Sequence, residues 1–328
     1  MTQKLNIAIL AGGNSSEEEI SLKGAKQIAL WLDKSKYNVL PIIVKGTQLT
    51  LKHPEKGDFT VSWDTFTANV DGETVSFHCA LIAIHGKPGE TGHLQGYLEM
   101  MGIPYTTGGV MNTALTFDKE ATKQMVKDLN INQSKMVRAI KGQQVDPQEV
   151  AKLLGLPLFV KPNESGSSYG VTKVKKVDEI NPALELAYTE DSVALLEEFI
   201  PGRELTCGLV KVKGKCIIFP VTEIIPKNEY FDYGAKYKNE SEEVTPANIS
   251  NDLSDYIQSI SSEIYDRLKC RGIVRIDYIF SKEKLYFLEV NTVPGMSEAS
   301  IVPQQVAAMG LTMNDIFSMV IEDAMTRK

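Results

Sequence analysis

Apolar and polar positions along the first third of the chain alternate in a strand–helix rhythm. An apolar run from Leu5 to Leu10 predicts a buried strand, and a turn of small residues separates it from a helix predicted at about Glu17 to Leu32. Further runs predict strands at Val39 to Val44 and Ala80 to Ile84, followed by a helix around Gly92 to Met101. This rhythm predicts a parallel sheet with ligand-binding loops at the carboxyl ends of its strands.

A mixed pattern follows a predicted domain boundary near Ile103 to Gly109. Helices are predicted at about Thr113 to Asn130, Asp146 to Leu154, Ile180 to Tyr188, Leu253 to Lys269 and Asn314 to Lys328. Strands are predicted at Pro157 to Lys161, Gly170 to Val174, Val193 to Glu198, Glu204 to Val212, Cys216 to Val221, Gly272 to Phe280 and Lys284 to Asn291. The polar stretch from Pro226 to Ile249 is long enough to be a lid, and Gln48 to Val75 is predicted to be a peripheral insertion.

The composition is that of an ordinary globular protein, with 43% apolar and 23% charged residues in 328. This length predicts two or three domains. The net charge of −7 argues against nucleic acid as a partner, and no apolar run reaches the length needed to cross a membrane. The N-terminus has no signal-peptide pattern, and the four scattered cysteines indicate reduced thiols, so we expect a cytoplasmic protein. Cys79 and Cys216 are predicted to lie in the core.

The predicted C-terminal hairpin carries polar side chains on one face. Arg275 and Asp277 share a face of its first strand, and Glu289 and Asn291 share a face of its second. An odd loop length would place Asp277 opposite Glu289 and Arg275 opposite Asn291. Two carboxylates and a carboxamide then form an oxygen site of the kind that Mg²⁺ occupies beside substrate phosphates. The alternative is a solvated strand face whose charges have no joint function.

Small residues rich in hydrogen-bond donors join two predicted strands between Lys161 and Gly170. Backbone N–H groups and hydroxyls in such a loop can lie over phosphates, and Lys161 supplies positive charge. The loop is not a Walker motif, because no Gly-Lys-Ser/Thr precedes a helix. The alternative is a flexible hairpin tip, since Ser and Gly are common turn residues.

Two further loops follow predicted strands in the first third of the chain. Gly12 to Glu17 leads into a helix whose first turn is acidic, which either favours the helix dipole or binds a substrate ammonium group. His85 to Gly92 carries a His and a Glu in a Gly-rich loop, which suits a binding site. A lone His is often structural, so both interpretations of His85 stay open.

Two segments suit a nucleotide. Leu195 to Glu204 offers backbone groups to a purine edge and a carboxylate to ribose hydroxyls, although a strand leaving the core gives the same pattern. Phe231 to Tyr237 carries a Lys and a Tyr that could close over the nucleotide and exclude water. The alternative for this second segment is an aromatic cluster on the surface.

Taken together and in this order, the motifs resemble those of the D-alanine–D-alanine ligases, a family of the ATP-grasp superfamily. The matching positions are Gly12 and Gly13 through Glu17 and Ser21, His85-Gly86 with Gly89-Glu90, Lys161-Pro162 through Gly170, Ala235-Lys236-Tyr237, Arg275-Ile276-Asp277, and Glu289 to Thr292 with Pro294-Gly295-Met296. They span nearly the whole chain. Thr91 departs from the pattern, because many members carry an acidic residue there, and this leaves the detailed role of its loop open.

The resemblance implies an α/β fold in three parts. These are an N-terminal parallel α/β substrate domain (1–107), a central ATP-grasp domain (108–198) and a C-terminal ATP-grasp catalytic domain (199–328). The implied reaction joins two D-alanines for peptidoglycan synthesis and consumes ATP. The carboxylate of the first D-alanine attacks the γ-phosphate to give D-alanyl phosphate, and the amine of the second D-alanine attacks the carbonyl. A homodimer is also implied.

The resemblance also gives residues roles. Asp277, Glu289 and Asn291 would hold two Mg²⁺ ions, for which Mn²⁺ could substitute. ATP binding falls to Lys119, Lys161, Ser168, Glu197, Glu198, Ile200, Glu204 and Lys236. Glu17 would bind the first ammonium group, and His85 is a further substrate-binding residue. Ser167 and Tyr237 would link with Glu17 to tie the lid shut. Arg275 with the Gly295 N–H would stabilise the oxyanion, and Ser300 would receive the second carboxylate.

Three alternative functions stay open. A D-alanine–D-lactate ligase would share the fold, but depsipeptide-forming relatives tend to carry Phe where this chain has Tyr237. A nucleotide-binding regulator without catalysis is disfavoured by the intact set of Arg275, Asp277, Glu289 and Asn291. A nicotinamide-binding enzyme is disfavoured because Gly-x-Gly-x-x-Gly is missing after the first strand.

Overall fold

A computed structural model describes residues 4–226 and 241–327. The strands are β1 (Leu5–Gly12), β2 (Tyr37–Lys45), β3 (Gln48–His53), β4 (Gly57–Thr60), β5 (Thr67–Val70), β6 (Glu73–Ser76), β7 (Cys79–Ile82), β8 (Asn132–Gln133), β9 (Met136–Ile140), β10 (Leu158–Pro162), β11 (Thr172–Val174), β12 (Val193–Glu198), β13 (Arg203–Val212), β14 (Lys215–Ile218), β15 (Thr222–Pro226), β16 (Ser241–Val244), β17 (Gly272–Ser281) and β18 (Lys284–Asn291). The helices are α1 (Glu18–Trp31), α2 (His93–Met100), α3 (Val110–Phe117), α4 (Lys119–Met125), α5 (Pro147–Leu154), α6 (Ile180–Ala187), α7 (Asn251–Arg267), α8 (Ile301–Ala308) and α9 (Met313–Thr326). Within the described ranges, none of these helices has the length and apolar character needed to cross a bilayer.

The first sheet has the strand order β4-β3-β2-β1-β7, and β1 runs parallel to both β2 and β7. Ile7 to Leu10 are fully buried, as expected for the central strand of a parallel sheet that is covered on both faces. The predicted parallel sheet is confirmed. The loops after β1 and β7 leave the same edge of the sheet, where the Asn14 N–H donates to the Lys87 carbonyl at 2.9 Å.

The region predicted to be an insertion, Gln48 to Val75, extends this sheet on the side away from β7. β3 pairs antiparallel with β2, and β4 pairs with β3 at the edge. β5 and β6 form a separate hairpin. These strands were not predicted, because they are short and polar turns separate them.

The single helix predicted over Thr113 to Asn130 is wrong, because two helices occupy this region. α3 ends at Phe117, and Asp118 adopts an extended conformation with φ −80° and ψ 107°. The Asp118 carboxylate accepts a hydrogen bond from the Ala121 N–H at 2.8 Å and so caps α4. The break places Lys119 in the first turn of a new helix.

Two further sheets follow, in which neighbouring strands are antiparallel except that β8 runs parallel to β18. The second sheet has the order β11-β10-β12-β9, and the third has the order β16-β15-β13-β17-β18-β8 with β14 beside β13. The predicted C-terminal hairpin is confirmed as β17 and β18. Of the segment predicted to be a lid, Ser241–Val244 is instead the strand β16, which pairs with β15.

The last helix returns to the first sheet. Ile28 of α1, Leu81 of β7 and Phe317 of α9 are buried in one hydrophobic cluster. Trp31 stacks on Phe317 with ring centroids 6.4 Å apart. The two ends of the chain therefore share a core, which fixes the first sheet against the third.

The cysteines divide into buried and exposed thiols. Cys79, Cys207 and Cys270 are buried, whereas Cys216 is exposed. The prediction that Cys216 lies in the core is therefore wrong. It lies on β14, a strand beside the main path of the third sheet, where Lys215 is exposed as well.

Candidate functional site

A cavity of about 380 Å³ is lined by residues of the second and third sheets. The residues predicted from the sequence that line it are Lys119, Lys161, Ser167, Ser168, Glu197, Glu198, Ile200, Glu204, Asp277 and Glu289. Phe159, Phe199 and Ile279 add apolar wall. A cavity with apolar walls and several charged groups suits a ligand with a flat ring and a charged tail. Lys236 and Tyr237 lie outside the described residues.

The loop that joins β17 to β18 consists of Lys282 and Glu283, whose φ angles are 47° and 59°. The sequence-based prediction had required an odd loop length. With a loop of two residues, a regular ladder would place Leu288 opposite Asp277 and turn Glu289 to the other face. The loop alone therefore gives the wrong register for a shared site.

A β-bulge corrects this register. It lies between Asp277 and Tyr278, and beyond it Asp277 faces Glu289 and Arg275 faces Asn291. The predicted cross-strand pairs are confirmed, but through a bulge and not through the loop length. The bulge is therefore the local feature that assembles the polar face of the hairpin.

Asp277 is the centre of this face and is 3% exposed. It accepts hydrogen bonds from Arg275 Nε at 2.9 Å, from Arg275 Nη2 at 2.8 Å and from Asn291 Nδ2 at 2.9 Å. The two-pronged contact is the geometry that a guanidinium favours with a carboxylate. The Thr206 hydroxyl also donates to Asp277. Thr206 was not predicted, although it lies two residues after Glu204 on one strand.

The donor set of this face fits a hard cation. Asp277 and Glu289 line one cavity, and Asn291 contacts Asp277 with its amide. Over the described ranges, no group of three or more His, Cys, Asp or Glu side chains could hold a metal ion, and Asn291 adds an amide oxygen to the two carboxylates of this face. Mg²⁺ is suited to few protein ligands, because it keeps several waters and takes the rest from phosphates. Lys119 Nζ lies 3.9 Å from Glu289 Oε2, so positive charge is close by.

Glu197 is held between two lysines beside the cavity. Its Oε1 lies 2.7 Å from Lys123 Nζ, and its Oε2 lies 3.0 Å from Lys161 Nζ. Burial would raise the pKa of Glu197, but the two ammonium groups outweigh burial and set this pKa at about 2. Glu197 therefore stays charged. Lys123 was not predicted, although it lies four residues after Lys119 on the same helical face.

The small-residue loop after β10 contacts the loop after β1. The Ser167 hydroxyl donates to Glu17 Oε1. A Cβ atom at Gly166 would lie 2.5 Å from Glu17 Oε2, so a larger residue here would displace the Glu17 carboxylate. Lys119 Nζ donates to the Ser165 carbonyl and holds the start of the loop. The structure thus brings together Glu17 and Ser167, which were assigned to one site from the sequence.

Glu90 joins the loop after β7 to the loop after β18. Its Oε2 accepts the Gly86 N–H at 2.9 Å, and its Oε1 accepts the Val293 N–H at 3.3 Å and the Thr292 hydroxyl at 3.4 Å. Burial raises the pKa of Glu90 to about 8, the nearby Glu17 carboxylate adds to the rise, and the N–H donors oppose it. Glu90 therefore links the first sheet to the hairpin through backbone groups.

His85 lies beside Glu17 and is 8% exposed. Burial lowers the pKa of His85, and the Glu17 carboxylate opposes this effect. The His85 carbonyl accepts a hydrogen bond from the Ser15 hydroxyl at 2.9 Å, which ties the two loops together. Thr91, the position that departs from the family pattern, forms a local hydrogen bond with His93 Nδ1 at 2.7 Å.

Gly295 and Ser300 lie together between β18 and α8. A Cβ atom at Gly295 would lie 3.1 Å from the Ser300 hydroxyl oxygen. Ser300 is the N-cap residue of α8, and its hydroxyl accepts the Ser297 N–H at 3.0 Å. The amino end of a helix carries partial positive charge, which suits a carboxylate.

Comparison with known proteins gives matches over nearly the whole chain. The family model described as "D-ala D-ala ligase N-terminus" matches residues 6–108, and the one described as "D-ala D-ala ligase C-terminus" matches residues 125–322. A curated relative, the D-alanine–D-alanine ligase of Parabacteroides distasonis, is 44% identical over 326 residues, which cover 99% of each chain.

Two solved structures have the same overall arrangement. A D-Ala:D-Ser ligase from Enterococcus faecalis is 29% identical with a TM-score of 0.86, covering 98% of this chain and 100% of that one. The D-alanine–D-alanine ligase from Bacillus anthracis complexed with ATP is 30% identical with a TM-score of 0.77, covering 98% of this chain and 97% of that one. These matches confirm the fold class predicted from the sequence.

Proposed function

The chain belongs to the D-alanine–D-alanine ligase family, and from this premise we propose how its own residues carry out the reaction. It is an ATP-dependent ligase that joins two D-alanine molecules for peptidoglycan synthesis. The residue assignments rest on one observation, which is that side chains from distant parts of the chain line the same cavity.

ATP binds in this cavity. Phe159, Phe199 and Ile279 enclose the adenine ring, and Lys119 and Lys161 attract the phosphates. The other described ATP contacts are Ser168, Glu197, Glu198, Ile200 and Glu204. Lys236 belongs to this set by resemblance to the family. Both Glu197 oxygens contact lysines, and by resemblance to the family Glu197 and Glu204 read the adenine and ribose.

Asp277, Glu289 and Asn291 would hold Mg²⁺, with two ions expected from the family resemblance and Mn²⁺ as a substitute. When bound, the metal neutralises charge on the β- and γ-phosphates. The support for this assignment is the hard-oxygen donor set next to the lysines of the ATP cavity.

The first D-alanine binds beside the loops after β1 and β7. Glu17 receives its ammonium group, the Ser167 hydroxyl donates to the Glu17 carboxylate, and His85 lies nearby. The D-alanine carboxylate then attacks the γ-phosphate, which gives D-alanyl phosphate and ADP. An acyl phosphate hydrolyses in water, and by resemblance to the family Tyr237, which lies outside the described residues, would help to exclude water.

The second D-alanine attacks this acyl phosphate with its amine. The carbonyl oxygen becomes an oxyanion, which Arg275 and the Gly295 N–H stabilise. Ser300 and the amino end of α8 receive the second carboxylate. The carbon–oxygen bond to phosphate then breaks, and inorganic phosphate leaves as the peptide bond remains.

We also propose that the protein acts in the cytoplasm as a homodimer and divides into 1–107, 108–198 and 199–328. Each sheet is built almost entirely from one of these ranges, which supports the division. The exception is β8, whose residues pair with β18 of the third sheet.

The test is coupled ADP release with a panel of D- and L-amino acids, with product mass measured in parallel. We expect ADP release with D-alanine alone and D-alanyl-D-alanine as the product. Addition of D-lactate or D-serine should leave this product dominant. Release that depends on D-lactate or D-serine would move the assignment to a ligase with another second substrate, a class that includes the E. faecalis neighbour.

A further inference from the structure

Lys123 is a buried charged residue for which the proposed reaction has no step. Its side chain is 1% exposed and is among the largest fully buried side chains of the protein. The ammonium group donates to Glu197 Oε1 at 2.7 Å and to the Ser134 hydroxyl at 2.8 Å. Position 123 falls between the ranges 6–108 and 125–322 that the two family models match.

The cluster around Glu197 has an excess of positive charge. The cluster consists of Glu197, Lys123 and Lys161, so within it two ammonium groups share one carboxylate and positive charge exceeds negative by one. The other carboxylate that acts on Lys123 belongs to Glu289, on the hairpin. An uncompensated buried charge is costly unless another group uses it. Lys161 and Glu197 line the ATP cavity, and Lys123 contacts Glu197 from α4. An anion in the cavity is therefore the natural partner of the surplus charge.

The position of Lys123 is fixed from two sides. The Gln133 side chain donates to the Lys123 carbonyl at 2.8 Å. The Ser134 hydroxyl accepts from Lys123 and donates to Glu197 Oε2 at 3.2 Å. Lys123 therefore cannot reach a phosphate itself without breaking these contacts, and it must act through Glu197.

We propose that Lys123 is a positioning residue that neutralises Glu197 and so leaves the Lys161 charge available to the ATP phosphates. Without Lys123, Glu197 would have Lys161 as its remaining lysine, and this neutral pair would attract phosphate less. The inference rests on the phosphate-binding role given to Lys161 under the proposed function.

The readout is phosphate selectivity, defined as the dissociation constant for adenosine divided by that for Mg-ADP. Isothermal titration calorimetry on the full-length protein gives both constants. Lys123→Met should lower this ratio about tenfold, while the adenosine constant stays within about twofold. A residue that only supports the fold would weaken both ligands alike. An unchanged ratio, or an equal loss for both ligands, would overturn the inference.

Charge-matched variants make the test specific. Lys123→Arg should keep the wild-type ratio. The double variant Lys123→Met/Glu197→Gln should restore it, because no carboxylate is left to neutralise Lys161. A double variant with a ratio as low as that of Lys123→Met would count against the inference. If Lys123→Met does not fold, Lys123→Gln, which removes the charge but keeps a polar side chain, takes its place and should lower the ratio likewise. A wild-type ratio in Lys123→Gln would overturn the inference.

Lys161→Met separates this inference from the proposed function. It should lower the phosphate selectivity at least as much as Lys123→Met does, while Lys119 still attracts the phosphates. A wild-type ratio in Lys161→Met would show that Lys161 does not bind phosphate, and the assignment of Lys161 would fail together with the inference. A low ratio in Lys161→Met together with a wild-type ratio in Lys123→Met would refute the inference about Lys123 but leave the phosphate-binding role of Lys161 intact.

Discussion

At the scale of single residues, Arg275 makes the strongest prediction. Its guanidinium is already oriented by two hydrogen bonds to Asp277. Arg275→Ala should lower turnover by hundreds-fold or more, since a fixed oxyanion donor contributes about 2.7–4 kcal/mol in similar sites. Steady-state kcat for D-alanyl-D-alanine formation is the measurement. Arg275→Lys keeps the charge but loses the two-pronged guanidinium, so its turnover should lie between those of the wild type and Arg275→Ala. Near wild-type turnover in Arg275→Ala would contradict the role assigned to Arg275.

Glu90 predicts a pH dependence of stability. Its pKa rises from an ordinary value of 4.5 to about 8 in the folded protein, chiefly because it is buried. Between about pH 4.5 and 8 the folded state keeps a proton that the unfolded state has lost. Stability should therefore fall as pH rises through this window, by at most about 1.4 kcal/mol per pH unit.

Urea unfolding of wild type and Glu90→Gln at several pH values measures this effect. The free-energy difference between the two proteins should shift in favour of the variant as pH rises, because glutamine does not ionise. Glu73→Gln, at an exposed strand position, is the matched control and should run parallel to wild type. If the free energy of unfolding depended on pH in the same way in wild type and Glu90→Gln, the raised pKa of Glu90 would not be the cause of the pH dependence.

Residues whose signal lies in one short segment could be predicted from the sequence. Asp277, Glu289 and Asn291 have strand spacing within one hairpin, and the structure places them on one face. Lys123 and Thr206 could not be predicted, because their significance comes from Glu197 and Asp277 across the fold. From spacing alone, many other lysines and threonines of the chain are equally plausible as site residues.

At the scale of elements, the break between α3 and α4 predicts a linked loss of stability and ATP affinity. Asp118 caps α4, and its neighbour Lys119 lines the ATP cavity. Asp118→Ala should lower the free energy of unfolding by about 1 kcal/mol, the usual contribution of a helix N-cap. It should also raise the KM for ATP several-fold, because the first turn that carries Lys119 loses its anchor. Urea unfolding and steady-state kinetics give the two values.

The control is the corresponding cap of α5. Asp146 accepts the Gln148 N–H at 2.9 Å and lies on a helix of the second sheet. Asp146→Ala should cost a similar amount of stability but leave the KM for ATP unchanged. Equal effects of both substitutions on KM would show that the cap of α4 has no special part in placing Lys119.

Elements with a strong apolar period were predicted, and their interruptions were not. The parallel strands β1, β2 and β7 of the first sheet and the C-terminal hairpin agree with their patterns. The bulge beside Asp277 and the break at Asp118 both depend on one residue adopting a conformation that its neighbours in space select. A periodic pattern of apolar positions is read over many residues and does not detect a change at one of them. The pattern over Thr113 to Asn130 therefore predicted one helix, where the structure has α3 and α4.

At the scale of the whole molecule, the shared core of the first and last elements predicts that they unfold together. Phe317 of α9 is 3% exposed and stacks on Trp31. Phe317→Ala should destabilise the protein by about 3–5 kcal/mol, the usual cost of deleting a buried ring. Both tryptophans, Trp31 and Trp63, precede α2, so tryptophan fluorescence reports the part of the chain before α2.

Urea unfolding followed by this fluorescence should therefore show the loss caused by a substitution in the last helix. Leu30→Ala, on an α1 side chain that is 66% exposed, is the control and should change stability by less than about 0.5 kcal/mol. A fluorescence transition that Phe317→Ala leaves unmoved would mean that the two ends unfold independently. The sequence could not give this connection, since contacts between distant faces leave no local pattern.

Because one cysteine is exposed and three are buried, the unmodified enzyme has a single site for thiol labelling. Burial raises the pKa of Cys79, Cys207 and Cys270 to about 12 each, so these thiols neither meet a reagent nor form the thiolate that reacts. Cys216 is exposed. A maleimide dye should add once to the native protein, and intact mass should show one adduct. Fluorescent tracking of the enzyme would then need no engineered substitution.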